Sequence, residues 1–129
     1  MRAIIQKVKS VNSSLIGEGC VVFLGISKDD TTEKANWMAE KLLKLRLYDG
    51  WKTNIFEKSC DILIKIEQSV LDSTNCSSVE SSHVENIYLF LYSALCKKYS
   101  DDKVKMVQFG SNEPLEIVND GPFTACLEK

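Results

Sequence analysis

The sequence predicts an α+β domain. Period-two apolar runs cluster towards both ends of the chain, and two longer segments carry apolar residues at helical spacing. Strands and helices do not alternate strictly, as a doubly wound sheet would require. With 129 residues the chain reads as a single domain, 1–129. A chain of that size buries roughly two-thirds of its unfolded surface, enough for a core.

The elements follow in order. Residues 2–9, within Met1-Arg2-Ala3-Ile4-Ile5-Gln6-Lys7-Val8, form a first strand. This start lacks the long apolar stretch and small-residue cleavage site of a secretory leader. Cys20-Val21-Val22-Phe23-Leu24-Gly25-Ile26 has the length of a buried strand. Asp30-Thr31-Thr32-Glu33 reads as a capping box, with Asp30 or Thr31 as the cap. Ala35, Met38, Ala39, Leu42 and Leu45 then mark an amphipathic helix. Leu45-Arg46-Leu47-Tyr48 has strand character, and Asp49-Gly50 turns the chain. Ile62, Ile64 and Ile66 alternate with Leu63 and Lys65 in another strand. Residues 72–82 are polar, serine-rich and loop-like. Ser82 and Glu85 have the spacing to cap a second helix, striped by Val84, Ile87, Tyr88, Leu91 and Leu95. Lys97 and Lys98 fall in its last turn, where positive charge suits the helix dipole. Strands follow around 103–109 and 114–118. Asn119-Asp120-Gly121-Pro122 then predicts a tight turn before Phe123-Thr124-Ala125-Cys126-Leu127.

Sixteen basic and eighteen acidic side chains give a net charge of −2, without the basic excess usual in nucleic-acid-binding domains. No apolar run approaches the ~20 residues of a membrane helix. Five cysteines, at 20, 60, 76, 96 and 126, include no Cys-x-x-Cys pair, so neither a disulfide framework nor a zinc site is suggested. Reduced, mostly buried thiols in a cytoplasmic protein are expected. The single histidine, His83, reads as a solvated helix-start residue rather than part of a Ser-His-Asp set. Asp29-Asp30 and Asp101-Asp102 read as solvated caps. Lys41, Lys44 and Arg46, and Lys97, Lys98, Lys103 and Lys105, read as solvated faces rather than phosphate contacts, and Trp37 and Trp51 as core or rim rather than base-stacking platforms. No phosphate-binding glycine loop occurs. No metal, no cofactor and no side-chain catalyst is indicated.

Both ends of the chain resemble the D-aminoacyl-tRNA deacylase family. The resemblance rests on Met1 to Val8, on Val22-Phe23-Leu24-Gly25-Ile26 followed by Asp29-Asp30, and on Lys44-Leu45-Arg46-Leu47-Tyr48. It is most specific at Phe109-Gly110 and at Leu115-Glu116-Ile117-Val118-Asn119-Asp120-Gly121-Pro122-Phe123-Thr124. It implies a curved, mostly antiparallel sheet packed with two main helices, in a homodimer. It also implies a cis Gly121-Pro122 peptide reaching into the partner's pocket, where backbone carbonyls exclude L-amino acids. The substrate would be the aminoacylated 3′ end of tRNA, carrying a D-amino acid or glycine, and the reaction ester hydrolysis in chiral proofreading. Catalysis would run mainly through main-chain groups, with Gln68 and the main chain of Val70 as pocket candidates. Asn119, Gly121, Pro122, Phe123, Thr124 and Gln68 would contact substrate.

The chain departs from that pattern in three places. The family's Ser-Gln-Phe-Thr-Leu motif is here Glu67-Gln68-Ser69-Val70-Leu71, which keeps Gln68 and Leu71. A hydroxyl and an aromatic wall are lost, and Glu67 adds a negative charge near the tRNA. The hairpin before the Gly25 strand shrinks to residues 10–19, and the family's basic loop becomes the acidic, serine-rich stretch 72–86. The alternative reading is a catalytically inactive family member serving as a dimeric binding or scaffold protein.

Overall fold

A computed structural model describes residues 1–71 and 79–129, the side chain of Pro122 excepted. The chain runs β1 (Arg2–Val11), β2 (Gly19–Gly25), α1 (Thr32–Lys44), β3 (Arg46–Tyr48), β4 (Thr53–Asn54), α2 (Ile55–Lys58), β5 (Asp61–Ile66), a 3₁₀ turn (Gln68–Val70), α3 (Ser81–Lys98), β6 (Val104–Met106) and β7 (Ile117–Glu128). Five strands form one sheet in the order β6-β5-β2-β1-β7, while β3 and β4 form a separate hairpin. The α+β expectation holds. The main sheet is mixed: β1 pairs antiparallel with β2 and β7, whereas β2–β5 and β5–β6 are parallel. Each parallel step needs a long crossover. α1, the β3–β4 hairpin and α2 make the first, and α3 makes the second.

Alternation along the strands divides the core. Ala3, Ile5, Cys20, Val22, Leu24, Ile62 and Ile64 face α1 and α3. The helices answer with Ala35, Met38, Ala39 and Leu42, and with Val84, Ile87, Tyr88, Leu91 and Leu95. Tyr88 is fully buried and donates towards the carbonyls of Ile64 (2.9 Å) and Val107 (2.6 Å), so α3 is pinned to the sheet by a polar link within its apolar stripe. Val8, Val11, Ile16, Val21 and Leu63 form a second core on the opposite, helix-free face. The segment 107–116 connects β6 at one edge to β7 at the other, and Val107, Leu115 and Ile117 pack on that second core. Asn12 anchors its far end: its N–H donates to the Glu116 carbonyl (2.8 Å), and its Oδ1 accepts from the Glu116 N–H (2.7 Å).

Three sequence readings change here. Residues 119–122 are not a turn between two strands. β7 is one strand, and both flanking runs pair with β1, Val8 opposite Asn119 and Gln6 opposite Thr124. Residues 120–123 therefore face Lys7 alone and loop out as a wide bulge. The turn chemistry is genuine, but long-range pairing to β1 decides its outcome. Asp30 is not solvated: its buried carboxylate accepts from the Met1 amino group and from the Ser27 N–H, both at 2.7 Å, with Lys34 at 3.7 Å. Thr31 is the α1 cap, its hydroxyl accepting from the Lys34 N–H. α3 starts at Ser81 with Glu80 as N-cap and no side-chain cap, so Ser82 and Glu85 lie inside the helix. The loop expected at 72–82 is described only at 79–82, where the last two residues are already helical; 72–78 lie outside the described residues.

The four described cysteines carry no disulfide. Cys20 and Cys60 are buried, Cys96 is half-buried and Cys126 is exposed, so burial is less general than the sequence suggested. Burial pushes the Cys20 thiol well up from its ordinary value, which makes it a packing residue rather than a nucleophile. Asp101 and Asp102 are exposed, as expected of solvated caps.

Candidate functional site

The site begins where β5 ends. The Glu67 N–H donates to the Leu24 carbonyl (2.8 Å) and extends the parallel ladder by one residue. The chain then tightens into the 3₁₀ turn, closed by the Val70 N–H on the Glu67 carbonyl. Gln68 clamps this turn to the end of β2. Its Oε1 accepts from the Ile26 N–H (2.7 Å), and its Nε2 donates to the Ile26 carbonyl (2.9 Å). One side chain thus imitates a strand neighbour. Gly25 permits the approach: a Cβ there would lie 2.5 Å from Leu71 Cγ and 2.8 Å from Val70 Cγ2. On the other side, Arg2 Nη1 donates to the Val70 carbonyl (3.1 Å).

These bonds decide which groups remain for chemistry. The Gln68 side chain is spent on Ile26, and both main-chain groups of Val70 have protein partners. The 3₁₀ turn supplies no internal acceptor for the N–H groups of Gln68 and Ser69, which precede its first bond. Beside the turn lies a cleft of about 330 Å³, walled by Lys65, Ile66, Glu67 and Gln68 and by residues 107–112, including Phe109 and Gly110. That volume is at the small end of ligand sites, ~300–1,000 Å³. The Glu67 charge is partly answered within the wall, by Lys65 Nζ at 3.3 Å and the Ser69 hydroxyl at 3.0 Å.

A second, ionic cleft of about 200 Å³ lies at the strand ends, lined by Met1, Arg2, Asp30, Lys34 and Glu128 among others. Five of its charged groups pair with one another, through Met1–Asp30, Lys34–Asp30 and Arg2–Glu128. It is best understood as a staple between chain segments. His83 is half-buried rather than solvated, with Nε2 3.2 Å from the Ser27 carbonyl. It ties the first turn of α3 to the loop after β2, and among the described residues no carboxylate is bonded to it to orient it for nucleophilic catalysis. Among the described residues no group of three or more His, Cys, Asp or Glu side chains is placed to hold a metal.

The other predicted residues lie elsewhere. Asn119, Gly121, Phe123 and Thr124 are on β7, an edge strand, around the bulge. Gly121 is exposed at φ +131°, a backbone region that L side chains rarely adopt. The bond expected to be cis involves Pro122, and among the described residues no peptide bond is cis. The bulge faces Lys7, while the 3₁₀ turn touches Arg2, five residues earlier on β1. At ~3.4 Å per residue, roughly 17 Å of strand separates them. One chain therefore brings Gln68, Val70, Phe109 and Gly110 together, and holds the Gly121 group apart.

Similarity to known proteins covers nearly the whole chain. The family model described as D-Tyr-tRNA(Tyr) deacylase matches residues 2–128. The chain belongs to this family. The D-aminoacyl-tRNA deacylase of Plasmodium falciparum is 31% identical, over 99% of this chain and 95% of its own length. That of Dictyostelium discoideum is also 31% identical, covering 99% and 97%. The Plasmodium alignment runs over 156 positions, so that deacylase carries residues this 129-residue chain lacks, in keeping with the short segments read from the sequence. A solved structure titled c-Myc DNA unwinding element binding protein superposes with a TM-score of 0.89 at 28% identity, covering 100% of this chain and 99% of that one. Another, of a probable eukaryotic D-amino acid tRNA deacylase, gives 0.81 at 15% identity and supports the fold alone.

Sequence reasoning missed the Arg2 and Asn12 anchors and the Gln68 clamp. A lone polar residue next to a strand carries no signal of the backbone it will bind. Trp51 was legible only as a core or rim aromatic, whereas it stands 65% exposed.

Proposed function

We propose that this deacylase-family protein hydrolyses the ester of D-aminoacyl-tRNA, and of mischarged glycyl-tRNA, in the cytoplasm. The match to the deacylase family over residues 2–128 carries this reading. The aminoacyl group would enter the cleft beside Gln68. There the N–H groups of Gln68 and Ser69 would stabilise the oxyanion that develops as water attacks the ester. Fixed main-chain donors in such a role are worth a large part of a hydrolase's rate. In this assignment Gln68 acts by shaping the cleft, since its side chain is occupied.

The working unit would be a homodimer. Gly121 and Pro122 sit on an exposed edge, roughly 17 Å along β1 from the cleft of their own chain, so the selector would complete the cleft of a second copy. Half-exposed Ile4 and Phe23 on the helix-free face fit such pairing. Among the described residues no helix is long and apolar enough to cross a membrane. A mixing experiment tests the arrangement. Asn112→Trp, at an exposed residue of the cleft wall, blocks the cleft, and Gly121→Ala disables the selector. Each variant alone is expected to lose D-selective hydrolysis. Co-refolded, they are expected to recover part of it, because one of the two sites in a mixed dimer is intact. No recovery, with the chains sedimenting as pairs, would refute selection in trans.

A further inference from the structure

The bulge at 120–123 poses a mechanical problem. A selector must be held to a fraction of an ångström, because small misplacements at a reacting centre are costly. Yet these four residues oppose the single residue Lys7, so the ladder that fixes the rest of β7 is interrupted here. Gly121 sits in a permissive backbone region, and Pro122 has no N–H to give. The bulge must be steadied from outside the strand.

The β3–β4 hairpin reaches it. Leu47 and Tyr48 are buried and root the hairpin in the core. Lys7, the residue the bulge faces, lies with Nζ 4.6 Å from the centroid of the Tyr48 ring. At the hairpin tip Asp49, Gly50 and Trp51 have φ of +54°, +68° and +71°. Three successive left-handed residues are unusual, and a tryptophan among them is a genuine outlier. This tip carries the Trp51 indole against Phe123, with ring centroids 4.8 Å apart and planes at 53°. Trp51 stays 65% exposed, so its own burial does not account for the strained placement. Backbone strain of this kind marks a position held for a purpose.

We propose that Trp51 is a positioning residue, which through Phe123 sets the Gly121–Pro122 bulge and so sets how strictly L-aminoacyl groups are rejected. The assignment rests on the selector reading given above. A purely structural role would change stability and leave the D-to-L ratio alone. Trp51→Ala is therefore expected to lower that ratio by about tenfold or more, the scale of a sub-ångström to 1 Å displacement. Its thermal midpoint should stay near that of the parent protein, and Trp51→Phe should restore most of the ratio. Hydrogen exchange gives a readout independent of turnover. In Trp51→Ala the amides of Gly121, Phe123 and Thr124 should exchange faster, while those shared by β1 and β2 stay unchanged. An unchanged D-to-L ratio, or unchanged exchange at 121–124, overturns the proposal. If the parent protein shows no D-selective turnover, the selector reading itself fails, and exchange alone still decides whether Trp51 steadies the bulge.

Discussion

Gln68→Ala is expected to cut turnover of D-aminoacyl-tRNA by about 100-fold and to cost about 2 kcal/mol of stability. Both effects have one origin. Ile26 is buried, and Gln68 satisfies its N–H and its carbonyl together. Alanine removes both partners. Each stranded group can cost ~1–3 kcal/mol, and the total stays low in that range because the clamp is only part-buried and water replaces some of it. With the clamp gone, the 3₁₀ turn keeps only backbone and Arg2 tethers, and its N–H groups lose their fixed direction. Urea unfolding should show a lower midpoint at unchanged slope. Gln68→Glu sharpens the test. A protonated carboxyl can make both bonds, whereas a carboxylate oxygen would oppose the Ile26 carbonyl. That repulsion raises the folded-state pKa above the unfolded value. The clamp's contribution should then be full below the unfolded pKa and fade as pH rises through the folded one. A Gln68→Ala protein with parental stability and turnover would mean that Gln68 neither clamps the turn nor shapes the cleft.

Gly121→Ala should abolish selectivity while leaving the fold in place. At φ +131° an L residue is strained by ~1–3 kcal/mol. An added Cβ would also stand 3.0 Å from the Phe123 nitrogen. Because the bulge is on an exposed edge, the chain can relax locally instead of unfolding. Relaxation moves the selector, so the ratio of kcat/KM for D-Tyr-tRNA over L-Tyr-tRNA should fall about 100-fold. The thermal midpoint should move by only a few degrees, about what 1 kcal/mol does in a domain of this size. Parental selectivity in Gly121→Ala would mean that chirality is read elsewhere.

Much of this fold was legible from periodicity. The stripes of α1 and α3 and the strands β1, β2 and β5 appear where the apolar spacing puts them, since burial on one face dictates that spacing. What escaped was decided by partners distant in sequence. Asn119-Asp120-Gly121-Pro122 has turn chemistry, but β1 pairs with both its flanks and makes it a bulge. Asp30 has cap chemistry, but the Met1 amino group reaches it across the sheet and buries it. Glu67, read as an added negative charge, is by contrast answered locally, by Lys65 and Ser69 two residues to either side. For the candidate site, the family resemblance supplied Gln68 and Gly121; residue pattern alone gave no sign that one is a clamp and that the other stands on an edge strand.

This chain is expected to deacylate with chiral selectivity despite its altered Glu67-Gln68-Ser69-Val70-Leu71 segment. Hydrolysis of D-Tyr-tRNA, Gly-tRNA and L-Tyr-tRNA by the purified protein, followed side by side, tests it most directly. Release of D-tyrosine and glycine is expected, with L-Tyr-tRNA left intact at the same enzyme concentration. No turnover of any of the three at micromolar protein, or equal turnover of D- and L-Tyr-tRNA, would contradict it.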